Sequence, residues 1–198
     1  MIHDSVQQSE QTPANLKLAC YGWDHAHWAG HYYPDDLPED WRLAYYANDY
    51  GGVLVPAEYC LRDDIGDWLD EVDEDFRFYF EWPDDAILQT AVVAACEILR
   101  PQVAAVLTDQ STLNLNVEVF YLHADNAEAI IWRPGQMQSS TVGELENIQA
   151  VDLRQQRCWL EAFYRASGQQ AKHLIIKDVY CNHQQLSEMS KLIELLSY

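Results

Sequence analysis

Apolar positions along the chain come in short runs, each cut off by proline, glycine or an acidic cluster. Leu16 to Tyr21 is the first, closed by Gly22, and predicts a short buried strand. A loop crowded with Trp23, His25, His27, Trp28 and His31 follows and stops at Pro34. Asp36-Leu-Pro38-Glu-Asp then opens a helix, with proline in the first turn and acids at the positive end of the helix dipole. Trp41, Tyr45 and Tyr46 mark its apolar side, and Gly51-Gly52 ends it. Val53 to Cys60 predicts a second strand, with Pro56 at its end or at a bulge. Asp64 to Val72 predicts a short helix presenting Ile65, Trp68, Leu69 and Val72, and Phe76 to Trp82 a third strand bounded by Pro83. Asp84-Asp85 cap a helix from Ala86 to about Leu99, and Val103 to Leu107 is the fourth strand. Such alternation predicts parallel strands covered by helices, with right-handed crossovers.

The pattern then becomes irregular. Val117 to His123 and Ala129 to Trp132 are separated by only Ala124 to Glu128, too short for a crossover helix, so an antiparallel hairpin is expected. Gln136 to Ser140 reads as loop, and a helix runs from Thr141 or Asp152 to Ala166, ended by Ser167-Gly168. Lys172 to Lys177 is the last strand, and Gln184 to Leu196 the last helix, with Leu186, Met189, Leu192, Ile193 and Leu196 inward. Residues 1–15, rich in Gln and Ser, read as a flexible leader, leaving residues 16–198 as one domain.

Composition narrows the classes of function. The 198-residue chain carries a formal charge of −20, and only Arg42, Arg62 and Arg77 oppose the acids between Asp24 and Asp85. A phosphate backbone would be repelled, so no nucleic-acid partner is expected. The acidity reads either as solubility and salt adaptation or as a mouth that attracts cations. Cys20, Cys60, Cys96, Cys158 and Cys181 are an odd number with no Cys-x-x-Cys pair, which argues against disulfides or a zinc knuckle and for a reduced, cytoplasmic protein. Neither a signal peptide nor a membrane span is expected.

The run Tyr21-Gly-Trp-Asp-His-Ala-His-Trp-Ala-Gly-His-Tyr-Tyr-Pro34, followed by Leu37-Pro38, Leu43-Ala-Tyr-Tyr-Ala47 and Phe76-Arg-Phe-Tyr-Phe80, resembles the YecE-like family. That is a bacterial group of TIM-barrel-like proteins of unassigned function. The resemblance is good over about residues 18–83 and fair over 172–196. It implies an α/β, TIM-barrel-like fold, shortened because a complete (β/α) barrel usually needs about 250 residues, with about 200 as the floor. The chain also departs from the family. Leu54 and Pro56-Ala-Glu-Tyr-Cys60 replace an acid and an Asn-Ser-Thr-Phe-Tyr run. Glu81 stands where the family has a lysine, and Lys177-Asp178 where it has paired asparagines.

In a barrel, the carboxyl ends of the strands converge on the face that carries sites. They bring Trp23, Asp24, Glu58, Glu81, Asp109, His123, Asp125, Arg133, Lys177 and Asp178 together. Glu58, Glu81 and Asp178 are the candidate acid-base carboxylates. Trp23, Asp24, His27, Trp28, Asp109, Arg133 and Lys177 are the candidate ligand contacts. His25-Ala-His27 is similar to the His-x-His metal pair of amidohydrolase barrels, with His123 and Asp178 as later ligands, yet loop histidines more often pack on aromatics. Cys60 and Cys158 lack the surroundings of a nucleophile. Two functions therefore stand. One is a non-catalytic or degenerate-site barrel that binds a small molecule or protein partner without a cofactor. The other is a hydrolase or isomerase with an acidic pocket at the barrel mouth, working with or without a divalent metal. The oligomeric state is left open.

Overall fold

The computed structural model describes residues 16–110, 113–121, 131–136, 138–168 and 170–196. The expected leader, His123 and Asp125 lie outside these residues. Seven strands, β1 (Lys17–Tyr21), β2 (Gly52–Val55), β3 (Arg77–Glu81), β4 (Val103–Thr108), β5 (Val119–Tyr121), β6 (Val142–Leu145) and β7 (His173–Ile176), form one sheet. Its order is β5-β4-β3-β2-β1-β7-β6, with every pair parallel. The sheet curls into a half-barrel flanked by α1 (Arg42–Ala47), α2 (Trp68–Glu71), α3 (Ala86–Ile98), α4 (Leu153–Ala166) and α5 (His183–Leu196). The α/β alternation is as the sequence predicts, while the barrel is incomplete.

Alternation along the strands builds two cores. Leu18, Cys20, Val53, Val55, Phe78, Phe80, Leu174 and Ile176 point outward and pack with the helices, including Val92, Phe163, Leu186 and Met189. Ala19, Leu54, Tyr79, Ala105, Leu107, Phe120, Val142 and Ile175 form a second cluster that contains no helical residue, so it fills the concave side. Ile131 belongs to that inner cluster as well. It stands between the two sheet edges, where its N–H donates to the Tyr121 carbonyl at 3.4 Å. Trp132 beside it pairs in parallel with Gly143. Its N–H donates to the Val142 carbonyl at 2.9 Å, and its carbonyl accepts from Glu144 at 2.8 Å. Among the described residues, these two span the gap between β5 and β6.

Four local expectations are corrected. Trp132 pairs in parallel with Gly143, where an antiparallel pairing with the preceding strand is expected; residues 122–130, which hold the turn of that expected hairpin, lie outside the described residues. The second strand stops at Val55, because Pro56 withholds a ladder donor, and Ala57–Leu61 winds into a 3-10 turn. Thr141 does not open a helix: Val142–Leu145 is a strand, and α4 begins after Asp152, whose carboxylate accepts from the Gln155 N–H at 2.8 Å. Gly143 has a packing reason, since a Cβ there would lie 3.1 Å from the Phe163 ring. Trp41 is 66% exposed and contributes little to the apolar side of its helix. Among the described residues, no helix is long and apolar enough to cross a membrane.

At the amino end of the curl, Tyr79 and His173 close the interior, joined at 2.9 Å between the Tyr79 hydroxyl and Nδ1. Burial pushes the His173 imidazole down to about 4 from its ordinary 6.5, and the nearby Lys17, Arg77 and Lys172 charges push the same way. A histidine lowered by folding contributes stability that is fully present above its unfolded value and is lost as pH falls from 6.5 towards 4. The loss amounts to about 3 kcal/mol. Urea unfolding at pH 7.5 and 4.5 is expected to show this slope, flattened by that amount in His173→Gln. An equal fall in both proteins would refute the assignment.

Candidate functional site

At the carboxyl end of the curl, the residue two places beyond each of five inner-core members also points inward. Ala19 leads to Tyr21, Tyr79 to Glu81, Ile131 to Arg133, Val142 to Glu144, and Ile175 to Lys177. Five polar side chains therefore converge on the face where barrel sites sit.

They form two linked sets. Glu81 accepts from the Tyr21 hydroxyl at 3.0 Å through one oxygen and pairs with the Lys177 ammonium at 2.7 Å through the other. Burial, and then the neighbouring Glu81 charge, push the Tyr21 hydroxyl up, so it stays a donor at neutral pH. Glu144 has no solvent-exposed side-chain surface. Its Oε1 accepts from Arg133 Nε at 2.9 Å and also pairs with the terminal guanidinium nitrogen, a fork that suits a buried carboxylate. Its Oε2 is buried without a hydrogen-bond partner among the described residues. Burial pushes the Glu144 carboxyl above the usual carboxylate range, while the Arg133 and Lys177 charges pull the other way. Glu146 lies 3.5 Å from Arg133 on the open side.

Of the sequence candidates within the described residues, the structure brings Glu81, Arg133 and Lys177 together and places the others elsewhere. Glu58 is exposed in the turn after β2, near enough to Tyr21 for its charge to be felt. Asp178 points away from Lys177 and accepts from Gln149 at 3.1 and 3.0 Å and from the Tyr180 N–H at 2.9 Å. Asp109 is exposed beyond β4. Asp24 pairs with Arg42 and, at 3.6 Å, with Arg62, whose guanidinium lies 6.0 Å over the Trp23 ring. Trp23 is buried edge-on against Trp68 and Tyr59, 4.8 and 5.0 Å away, and offers no open face to a ligand.

Trp28 is equally buried, and its indole N–H donates to the Cys181 carbonyl at 2.9 Å. His27 Nε2 meets the same carbonyl at 3.0 Å, and His25 Nε2 meets the Tyr21 carbonyl at 2.8 Å. Both imidazoles thus use Nε2 to pin the loop after β1, and the His25 ring lies 4.6 Å from Trp28. No group of three His, Cys, Asp or Glu side chains among the described residues is placed to hold a metal. Burial raises the Cys60 thiol to about 12, which makes it a poor nucleophile.

Sequence reasoning missed Tyr21 and Glu144. Tyr21 lies within the predicted first strand, and the last inward residue of a barrel strand is where polar groups belong. Glu144 was hidden because its strand, Val-Gly-Glu-Leu, lacks β-branched alternation.

Residues 17–108, less than half of the chain, match the profile of a family described as a protein of unknown function, DUF72. No curated protein matches the chain. Two solved structures are similar in fold. A DUF72 family protein from Thermotoga maritima has TM-score 0.65 at 11% identity, over 92% of this chain and 99% of that one. A DUF72 family protein from Enterococcus faecalis has TM-score 0.57 at 10% identity, over 90% of this chain and 95% of that one.

Proposed function

We propose that the chain is a divergent, cytoplasmic YecE-like protein whose TIM-barrel-like mouth holds a small polar ligand without transforming it. The family likeness is supported by the profile match over residues 17–108 and by the two similar folds. The observation that carries the binding reading is the internal pairing of charge. Glu81 is neutralised by Lys177 and Glu144 by Arg133, so neither acid is left as an unopposed base or nucleophile. The exchange relative to the family fits this picture. The lysine that the family carries at the end of β3 is replaced by Glu81, and a cation returns from β7 as Lys177, within 2.7 Å of it. Glu144 Oε2 and the Tyr21 hydroxyl oxygen then offer acceptors, and the Lys177 ammonium a donor, to a ligand that is uncharged or zwitterionic.

One observation favours the acid-base alternative. A buried carboxyl raised by desolvation, as Glu144 is, suits a part in proton transfer. A thermal-shift panel of polyols, amino acids, small carboxylates and divalent ions separates the two. The expected result is a stabilising polar compound whose shift disappears in Lys177→Met, with the compound recovered unchanged. Turnover of that compound, abolished in Glu144→Gln, would establish the alternative; a panel in which no compound distinguishes wild type from Lys177→Met would sink the binding reading.

A further inference from the structure

The two charge pairs at the mouth are not equivalent. On one side the Arg133 guanidinium serves two acids, Glu144 in contact and Glu146 at 3.5 Å, so that side carries a negative charge in excess. Glu144 has no exposed side-chain surface, and its Oε2 is without a hydrogen bond among the described residues. Strand register turns it to the concave side, where the nearby donors are committed. Arg133 Nε and a terminal nitrogen go to Oε1, and the Tyr21 hydroxyl goes to Glu81. A buried carboxylate oxygen left in that state is costly until an incoming donor meets it. On the other side, Lys177 pairs with Glu81 alone among the described residues. That pair is neutral, and an ammonium has three donors, so some remain for a ligand. Glu58, whose charge also reaches Tyr21, is exposed and screened by water.

We propose that the ligand is an amino acid, a zwitterion whose primary ammonium donates to Glu144 Oε2 and whose carboxylate accepts from Lys177. This rests on the binding reading above and selects among the ligands it allows. A hydroxyl could donate to Oε2, but it would leave the excess charge beside Arg133 unopposed. An ammonium does both, through a charge-assisted bond roughly twice as strong as a neutral one. A quaternary ammonium is excluded, because it has no N–H for Oε2, and Trp23 and Trp28, the aromatics of the neighbouring loop, are buried and cannot cage it. Oε2 is closed to water as the side chains stand, so the partly exposed Arg133 and Lys177 part as the ammonium enters.

Isothermal titration calorimetry of the full chain at neutral pH tests this with glycine, β-alanine and γ-aminobutyrate, each against its N-trimethyl counterpart, and with glycerol and acetate. The expected result is that at least one amino acid binds about tenfold or more tighter than its trimethyl counterpart, glycerol and acetate. That preference should fall about threefold in Glu146→Gln, an exposed position, and disappear in Glu144→Gln, with circular dichroism unchanged in both. Equal binding of an amino acid and its trimethyl counterpart, or a preference indifferent to both substitutions, would overturn the proposal. Glycerol or acetate bound through Lys177 with no amino acid bound would overturn it and leave the binding reading standing. No binding by any compound would overturn both.

Discussion

Replacing Arg133 with alanine is expected to cost about 3 kcal/mol of folding stability at neutral pH, because it strands a carboxylate whose side chain has no exposed surface. Arg133 is itself 21% exposed, which places the cost at the lower end for a broken buried pair. The pH dependence identifies the cause. Burial already raises the Glu144 carboxyl in the folded state, and removing the cation raises it further. A group that binds its proton more tightly when folded gains stability as pH falls. The Arg133→Ala deficit should therefore shrink between neutral pH and about pH 5, and Arg133→Ala with Glu144→Gln should recover much of it at pH 7. Urea denaturation at the two pH values makes the measurement. A deficit of equal size at both would mean that Arg133 acts through packing alone.

Trp28→Ala is the second large effect, about 3 to 5 kcal/mol as a core truncation. Trp28 is 1% exposed and touches Tyr32, Tyr33 and Tyr46, with ring centroids 5.3, 5.9 and 6.3 Å away. Tyr46 in turn holds β1 to β2, its hydroxyl accepting from the Cys20 N–H at 3.0 Å and donating to the Gly52 carbonyl at 2.8 Å. Loss of the indole also takes from the Cys181 carbonyl one of two side-chain contacts. Trp41→Ala, at 66% exposure, should change stability by no more than about 0.5 kcal/mol. Equal urea midpoints for Trp28→Ala and wild type would contradict the core assignment.

The first half of the fold was legible because each element carries its own punctuation. Pro38, Pro56, Pro83 and Asp85 stand at or beside element boundaries, and β1, β3 and β4 are nearly continuous apolar runs. Between Thr108 and Asp152 that punctuation fails. Strand β5 is three residues long, the bridge at Ile131–Trp132 is two, and β6 contains a glycine shaped by Phe163 and an acid made tolerable by Arg133. Each exists because of residues distant in sequence, which local patterns do not encode. The same holds for the site. The face was readable from topology, and Glu81, Arg133 and Lys177 were found that way. Which acids turn inward depends on strand register, and a one-residue difference separates Lys177 from Asp178.

The position of β1 bears on how the chain acquires this shape. It is hydrogen bonded on one side to β2 and on the other to β7, the last of the described strands. The earliest strand therefore keeps an unsatisfied edge until nearly all the rest has been laid down, and every early assembly is an open sheet with an adhesive side. Such nonlocal closure makes for slow folding and for exposure to misassociation on the way. The dense aromatic loop after β1, which reaches over to Cys181 beyond β7 through Trp28 and His27, has a kinetic meaning on this view. Its contacts with the Cys181 carbonyl form only once the segment after β7 is in place, so they add to the late, nonlocal part of assembly.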